Sequence, residues 1–197
     1  SDSCYVIFLG QALQTVTPAT GTVTNAMLGE TITVAKGGTG LTSGFKNGIT
    51  EADQWRITAD LSANTNPISA NLERVDNTGF GKIGTGMSVS SGIWTFPSTG
   101  LWKIEAFFTG IIASGDAQIV CNIRTYISST ETDVAVAYIG SSSDYDSAMT
   151  SFLYNVTDTS THQLTFRVSS IASGGYLRGD TDKNETHFNF IRLGDSV

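Results

Sequence analysis

Residues Trp94–Phe108 read WTFPSTGLWKIEAFF. After Gly100, the side chains Trp102, Ile104, Ala106 and Phe108 fall on one face, while Lys103 and Glu105 fall on the other. This two-residue period belongs to a β-strand with one buried face. Pro97 lacks a backbone donor and Gly100 tolerates positive φ, so the chain can reverse between them without strain. Two strands are expected to meet at this turn, and the stretch declares an antiparallel β-domain.

Short β-rich runs continue on both sides. Strands are expected over Trp55–Leu61, Ile68–Arg74, Met87–Phe96, Leu101–Ile112, Ala117–Ile127, Val134–Ile139, Met149–Val156, Gln163–Ser169 and Thr186–Leu193. The breakers between them include Asn66-Pro67, Asn77-Thr78-Gly79, Ser114-Gly115-Asp116 and Gly174-Gly175. Many short strands with no helical period between them predict an all-β sandwich or jelly roll. Residues 53–197 are assigned to this head, a length ordinary for one domain.

Composition agrees and narrows the function. Of the 197 residues, 40% are hydrophobic and only 15% charged, so Ser, Thr, Asn and Gly take the surface that Lys and Glu occupy on helical proteins. Eleven Lys and Arg against 18 Asp and Glu give a net charge of −7, which supplies no basic stripe for nucleic acid. No apolar run reaches the ~20 residues a membrane-spanning helix needs, so no membrane insertion is expected. There is no GxSxG, HExxH, P-loop or Cys-x-x-Cys motif, and no enzyme activity or cofactor is expected. A glycan-degrading enzyme would need converging carboxylates that spacing does not indicate. Cys121 alternates with Ile119 and Ile123 and reads as a buried free thiol, while Cys4 lies in a different segment.

The first quarter of the chain differs. Residues 1–17 contain one apolar run, CYVIFLGQAL at 4–13, which cannot bury itself alone. It reads as the end of an upstream domain, or as a short first strand of the main one. With Ser1 in place of Met, the chain is expected to be a fragment, a processed product or part of a longer polypeptide. Residues 18–52 turn to Thr, Gly, Ala and Val, with too little apolar material for a monomeric core. They read as a linker or as a slender β-rich shaft formed by several wrapped copies; Val23, Met27, Leu28, Ile32 and Val34 favour the shaft.

The run Trp94, Thr95, Phe96, Pro97, Gly100, Leu101, Trp102 resembles the signature of the globular head of complement component one, subcomponent q. That head shares a jelly roll with the tumour-necrosis-factor ligands. The closing THFNFIRL at 186–193 resembles that family's last strand, which is central in its sheet. The resemblance covers about three quarters of the chain, with no collagen Gly-X-Y stalk before it. The preceding TVTNAMLGETITVAKGGTGLTS at 22–43 resembles bacteriophage fibre segments, where three chains wind a thin β-shaft. ADQWRIT at 52–58, NLERVDNTGFGKIGTGM at 71–87 and FIRLGDS at 190–196 resemble head domains of marine phage structural proteins, including those of cyanophages. These likenesses imply a virion fibre or appendage, on tail or capsid, attached to other virion proteins through its N-terminal side.

A homotrimer is also expected on physical grounds. Ile104, Phe107, Phe108 and Ile111 in one strand, and Phe152, Leu153 and Tyr154 in another, look apolar on both faces. One face fills the sandwich, and the other needs covering by cyclic association.

Contact with a host-surface glycan or protein is assigned to loops. In the resembled fold both chain ends leave from the base, which makes 172–185 a distal loop carrying Tyr176, Arg178, Asp180, Asp182 and Lys183. Tyr145, in 141–147, is a second candidate whose end of the barrel spacing does not settle. The alternative is that both are solvated turns and the head is purely architectural, trimerising or capping the shaft or decorating the capsid. Arg178-Gly179-Asp180 spells an integrin tripeptide but is read as a charged turn. Asp180, Asp182 and Asn184 start like a calcium loop without its Gly or its final Glu, so an EF-hand is excluded and no metal is assigned, a weaker oxygen-ligand site being the alternative. His162 and His187 have no evident acid–base partners, and His187 reads as structural.

Overall fold

A computed structural model describes residues 48–141 and 144–197. The expected upstream segment 1–17 and nearly all of the expected shaft 18–52 therefore lie outside the described residues. The compact unit considered below spans Asn47–Val197.

Among the described residues the structure is all-β. Its eleven strands are β1 (Ala52–Ile57), β2 (Leu72–Arg74), β3 (Ser88–Ser90), β4 (Ile93–Thr95), β5 (Gly100–Ile111), β6 (Ile119–Ile127), β7 (Thr130–Ile139), β8 (Asp146–Val156), β9 (His162–Ser169), β10 (Tyr176–Leu177) and β11 (His187–Gly194). One sheet runs β8-β5-β11-β1-β2, with the short β10 continuing the line of β11 along the other edge of β5 from β8; the other sheet runs β3-β4-β9-β6-β7. Every pairing is antiparallel, and the chain passes repeatedly from one sheet to the other. That alternation makes it a jelly roll.

The period-2 pattern of β5 is realised without a break, buried and half-buried residues alternating along all 12 positions. Trp94 occupies the centre of the core. Its ring lies 5.1 Å from Trp55, 5.8 Å from Phe166 and 5.0 Å from Phe190. Phe166 and Phe188 stack across the two sheets at 3.9 Å. Such contacts add about 0.5–1.5 kcal/mol each beyond the area they bury. Cys121 is buried between Ile119 and Ile123, where loss of hydration pushes its thiol well above the ordinary range.

Several expected boundaries shift, each for a local reason. The two strands flanking Pro97 do not form a hairpin, because β4 and β5 belong to different sheets. Phe96–Thr99 instead carries the chain across the sandwich. It is pinned by Phe96 against Trp102 at 5.1 Å and by Trp102 Nε1 donating to the Ser98 carbonyl at 3.2 Å. Gly100 has φ 149°, and a Cβ there would lie 2.5 Å from the Gly194 carbonyl oxygen. The single strand expected over Met87–Phe96 is a hairpin, β3-β4, turned by Ser91 and Gly92 at φ 50° and 79°. Of Ile68–Arg74 only Leu72–Arg74 enters a ladder, since Asn71 adopts φ 59° just before it. The first strand stops at Ile57, whose carbonyl accepts from Asp180 N, and Leu61 then pairs with Leu177 of the unexpected β10.

Buried charge ties the β1-β2 side together. Arg56 is fully buried and donates to Glu73, Asp76 and Asn77, while Asp53 accepts from Arg74, Trp55 Nε1 and Met87 N. Both ions are multiply hydrogen-bonded, as buried charges must be.

Candidate functional site opposite chain entry and exit

Strand direction separates the two ends of the sandwich. At one end, Arg192 N donates to the Glu51 carbonyl at 2.9 Å, and Asn155 Nδ2 donates to the Val197 carbonyl at 2.5 Å. Chain entry and chain exit of this unit are therefore together. β5 starts there, opposite Val156, and finishes at the other end, opposite Asp146 and Tyr176. The two loops singled out from the sequence, one carrying Tyr145 and the other Tyr176, both lie at that far end.

They also meet. Tyr145 and Tyr176 share a hydroxyl–hydroxyl hydrogen bond of 2.8 Å, with ring centroids 6.3 Å apart and nearly perpendicular. The Arg178 guanidinium lies 4.6 Å over the Tyr145 ring, a cation–π geometry. Its Nε reaches Glu185 at 3.3 Å. The hydrogen bond to Tyr145 pushes the Tyr176 hydroxyl up, and Tyr145 and then Glu185 raise Arg178. At neutral pH the Tyr176 phenol is protonated and the guanidinium charged. Tyr145 is half exposed, so the cluster offers a ring, two hydroxyls and a cation to solvent.

Glycine makes this packing possible. A Cβ on Gly110 would lie 2.5 Å from the Tyr176 carbonyl oxygen, and one on Gly179 would lie 2.4 Å from that of Ala59. Gly179 N donates to Asp60 Oδ1 at 2.9 Å, which anchors the loop to the β1-β2 connection.

The remaining expected site residues divide differently. Asp180 Oδ1 accepts from the backbone nitrogens of Asp182 and Lys183 at 2.7 and 3.0 Å, and these bonds, Asp182's first, hold its carboxyl below the usual range. It closes a turn, so Arg178-Gly179-Asp180 is a folded corner. The Asp182 carbonyl accepts from Asn77 Nδ2 at 2.8 Å. Asn184 turns away to donate to Gln54 Oε1 at 2.7 Å, apart from the carboxylates it accompanies in sequence. Asp182 and Lys183 are exposed on the same loop as the tyrosine cluster without joining it. Asp60 and Glu185, which sequence reasoning missed, flank Arg178; nothing in their spacing signalled it, because Asp60 arrives from 118 residues upstream of Arg178.

No family model and no curated sequence matches the chain. Solved structures do resemble it. Eiger TNF from S. frugiperda superposes with a TM-score of 0.57 at 10% identity, over 76% of this chain and 96% of that one. Murine APRIL at pH 5.0 gives 0.55 at 12% identity, over 73% and 98%. The head has a TNF-like jelly-roll fold. At these identities the likeness concerns fold alone.

Proposed function

We propose that this chain is a virion fibre or appendage protein whose homotrimeric head contacts a glycan or protein on the host surface through the end opposite its attachment. The role is binding rather than catalysis, and the place is the virion. The observation that carries it is the convergence of Tyr145, Tyr176 and Arg178, from two separate loops, at the end opposite the entry and exit of the chain in this unit. Tyrosine and arginine dominate binding hot spots because they bring area and polar reach at small entropic cost. The virion part is supported by the phage-fibre resemblance of residues 22–43 and of the head phrases quoted above.

Trimer formation is supported by the outward face of the β8-β5-β11 sheet. Met149 and Leu153 are 54% and 56% exposed, opposite Phe107 and Lys103. Three heads on one fibre, and several fibres on one particle, convert weak contacts into firm attachment. Replacing Tyr176 and Arg178 together by Ala should lower particle adsorption about tenfold or more, since each anchor is worth over ~1 kcal/mol. Unchanged adsorption with an intact trimer would leave the architectural role, to which the internally satisfied Tyr145–Tyr176 and Arg178–Glu185 pairs are equally suited.

A further inference from the structure

A second surface, on the flank of the other sheet, brings apolar and polar side chains together. The inward residues of β6 are Ile119, Cys121 and Ile123, so Val120 and Asn122 belong to the other face, where Val120 is half-buried and Asn122 is buried. Across the ladders Val120 is opposite Tyr138 and Ser169, while Asn122 is opposite Val136 and Arg167. The result is a small two-sided patch. One half is apolar, with Val120, Val136 and Tyr138; the last two are 41% and 53% exposed on the edge strand β7. The other half is polar, with Asn122, Arg167 and Asp133. Arg167 Nη2 donates to Asn122 Oδ1 at 3.1 Å and to Asp133 Oδ2 at 2.9 Å. Arg167 Nε is buried with no partner among the described residues. These six residues border an open cleft of about 430 Å³, within the range of roughly 300–1,000 Å³ that small-molecule sites occupy.

Three features select the ligand. An outward tyrosine beside valines offers a flat apolar shelf of the kind that packs against the C–H face of a sugar ring. Beside the shelf stand the Asp133 carboxylate and the Arg167 guanidinium, the latter held by the buried Asn122 amide oxygen, so both can meet hydroxyls without reorganising. Arg167 and Arg124 share Asp133, and Arg124 also pairs with Glu131, so two cations are matched by two carboxylates and the patch offers no spare cation to an acidic sugar. We propose that this cleft is a binding subsite for a neutral pyranose, separate from the Tyr145–Tyr176–Arg178 cluster and independent of the virion reading. Affinity at one such open site is expected in the millimolar regime, useful where copies are multiplied.

The test is a two-dimensional amide NMR titration of the intact chain with the methyl glycosides of glucose, galactose, mannose and N-acetylglucosamine, and with glucuronate. At least one neutral glycoside should shift the amides of Val120, Asn122, Val136 and Tyr138 saturably, with glucuronate inert there. Tyr138→Phe should bind within about threefold of the parent, while Tyr138→Ser should bind about tenfold more weakly, as loss of a ring contact implies. Spectra of both variants that superpose elsewhere show the fold intact. Shifts at Tyr145, Tyr176 and Arg178 instead would overturn the flank subsite and leave the distal reading standing. No saturable shift with any neutral glycoside, tighter binding of glucuronate, or equal binding by Tyr138→Ser would each overturn it too.

Discussion

His187 stacks flat on Phe107 with ring centroids 4.5 Å apart, and its Nδ1 is buried without a partner among the described residues. Burial holds its pKa below the ordinary imidazole value, against weaker raising contributions from the Glu185 and Asn184 backbone and the Glu105 charge. The folded state therefore takes up this proton less readily than the unfolded chain does. The stability it protects is fully present above the unfolded value of about 6.5 and is lost as pH falls from there towards the lower folded value. Denaturation midpoints should decline over that window in the parent protein, and less so in His187→Phe, which keeps the stack and removes the titration. Gly179 illustrates a different residue-scale constraint. Its Cβ position lies 2.4–2.5 Å from Ala59 backbone atoms, which cannot move as a flexible side chain would. Gly179→Ala should cost about 1–3 kcal/mol, the usual toll of overpacking, and urea unfolding measures it.

At the scale of elements, the outcome turned on which short runs could continue a ladder. The alternation along β5 predicted its strand to within one residue, because twelve residues of strict period overwhelm any local preference. Where the run was shorter, turn chemistry prevailed. Ser91 and Gly92 both have positive φ and join Ser90 to Ile93, the geometry of a two-residue hairpin whose twist matches its strands. Ser-Gly in SVSSGIWT was a readable signal for that break. Gly92→Ala places a methyl 2.6 Å from the Ile68 carbonyl oxygen as well as in left-handed backbone. A loss of about 2 kcal/mol or more is expected from the two effects together, and thermal melting with the core fluorescence of Trp94 as probe would register it. The two strands that meet at the Pro97 turn lie in different sheets for another reason. Pro and Gly mark where a chain reverses, yet they carry no information on whether it returns to the same sheet. Trp94 and Trp102 both enter the core, so the reversal goes around it.

For the whole molecule, the informative feature is where apolar side chains were left outside. The expectation that two strands were apolar on both faces resolves into Phe107, half-buried, with Met149 and Leu153 well exposed, while Phe108 and Tyr154 are buried and Phe152 packs against the core. Polar side chains share the same outward face. Asn184, Gln54, Asn189, Glu105 and Lys103 form a chain of hydrogen bonds and one ion pair across it. If that face is the trimer contact, Met149→Asp together with Leu153→Asp should yield a monomer in native light scattering with an unchanged far-ultraviolet dichroism spectrum. A trimer that survives both changes would move the contact elsewhere on the head.

The chain by itself determined its class, its central strands and the buried set around Trp94 and Trp102, because side-chain period and turn chemistry are local and repeat along the sequence. It also marked both loops that carry the candidate site, through aromatic and charged residues among glycines. The meeting of those loops was decided only in three dimensions. Tyr145 and Tyr176 are brought together because β8 and β10 flank the end of β5 at the same level on its two edges, and Arg178 is placed between Tyr145 and Glu185 by a glycine packed on Ala59. The flank cleft belongs to the same category. Val120, Val136, Asn122 and Arg167 are unremarkable in sequence and become one surface only when β6 takes β7 on one side and β9 on the other. Pairing across long separations is set by the packing of the whole core, and no local pattern encodes it.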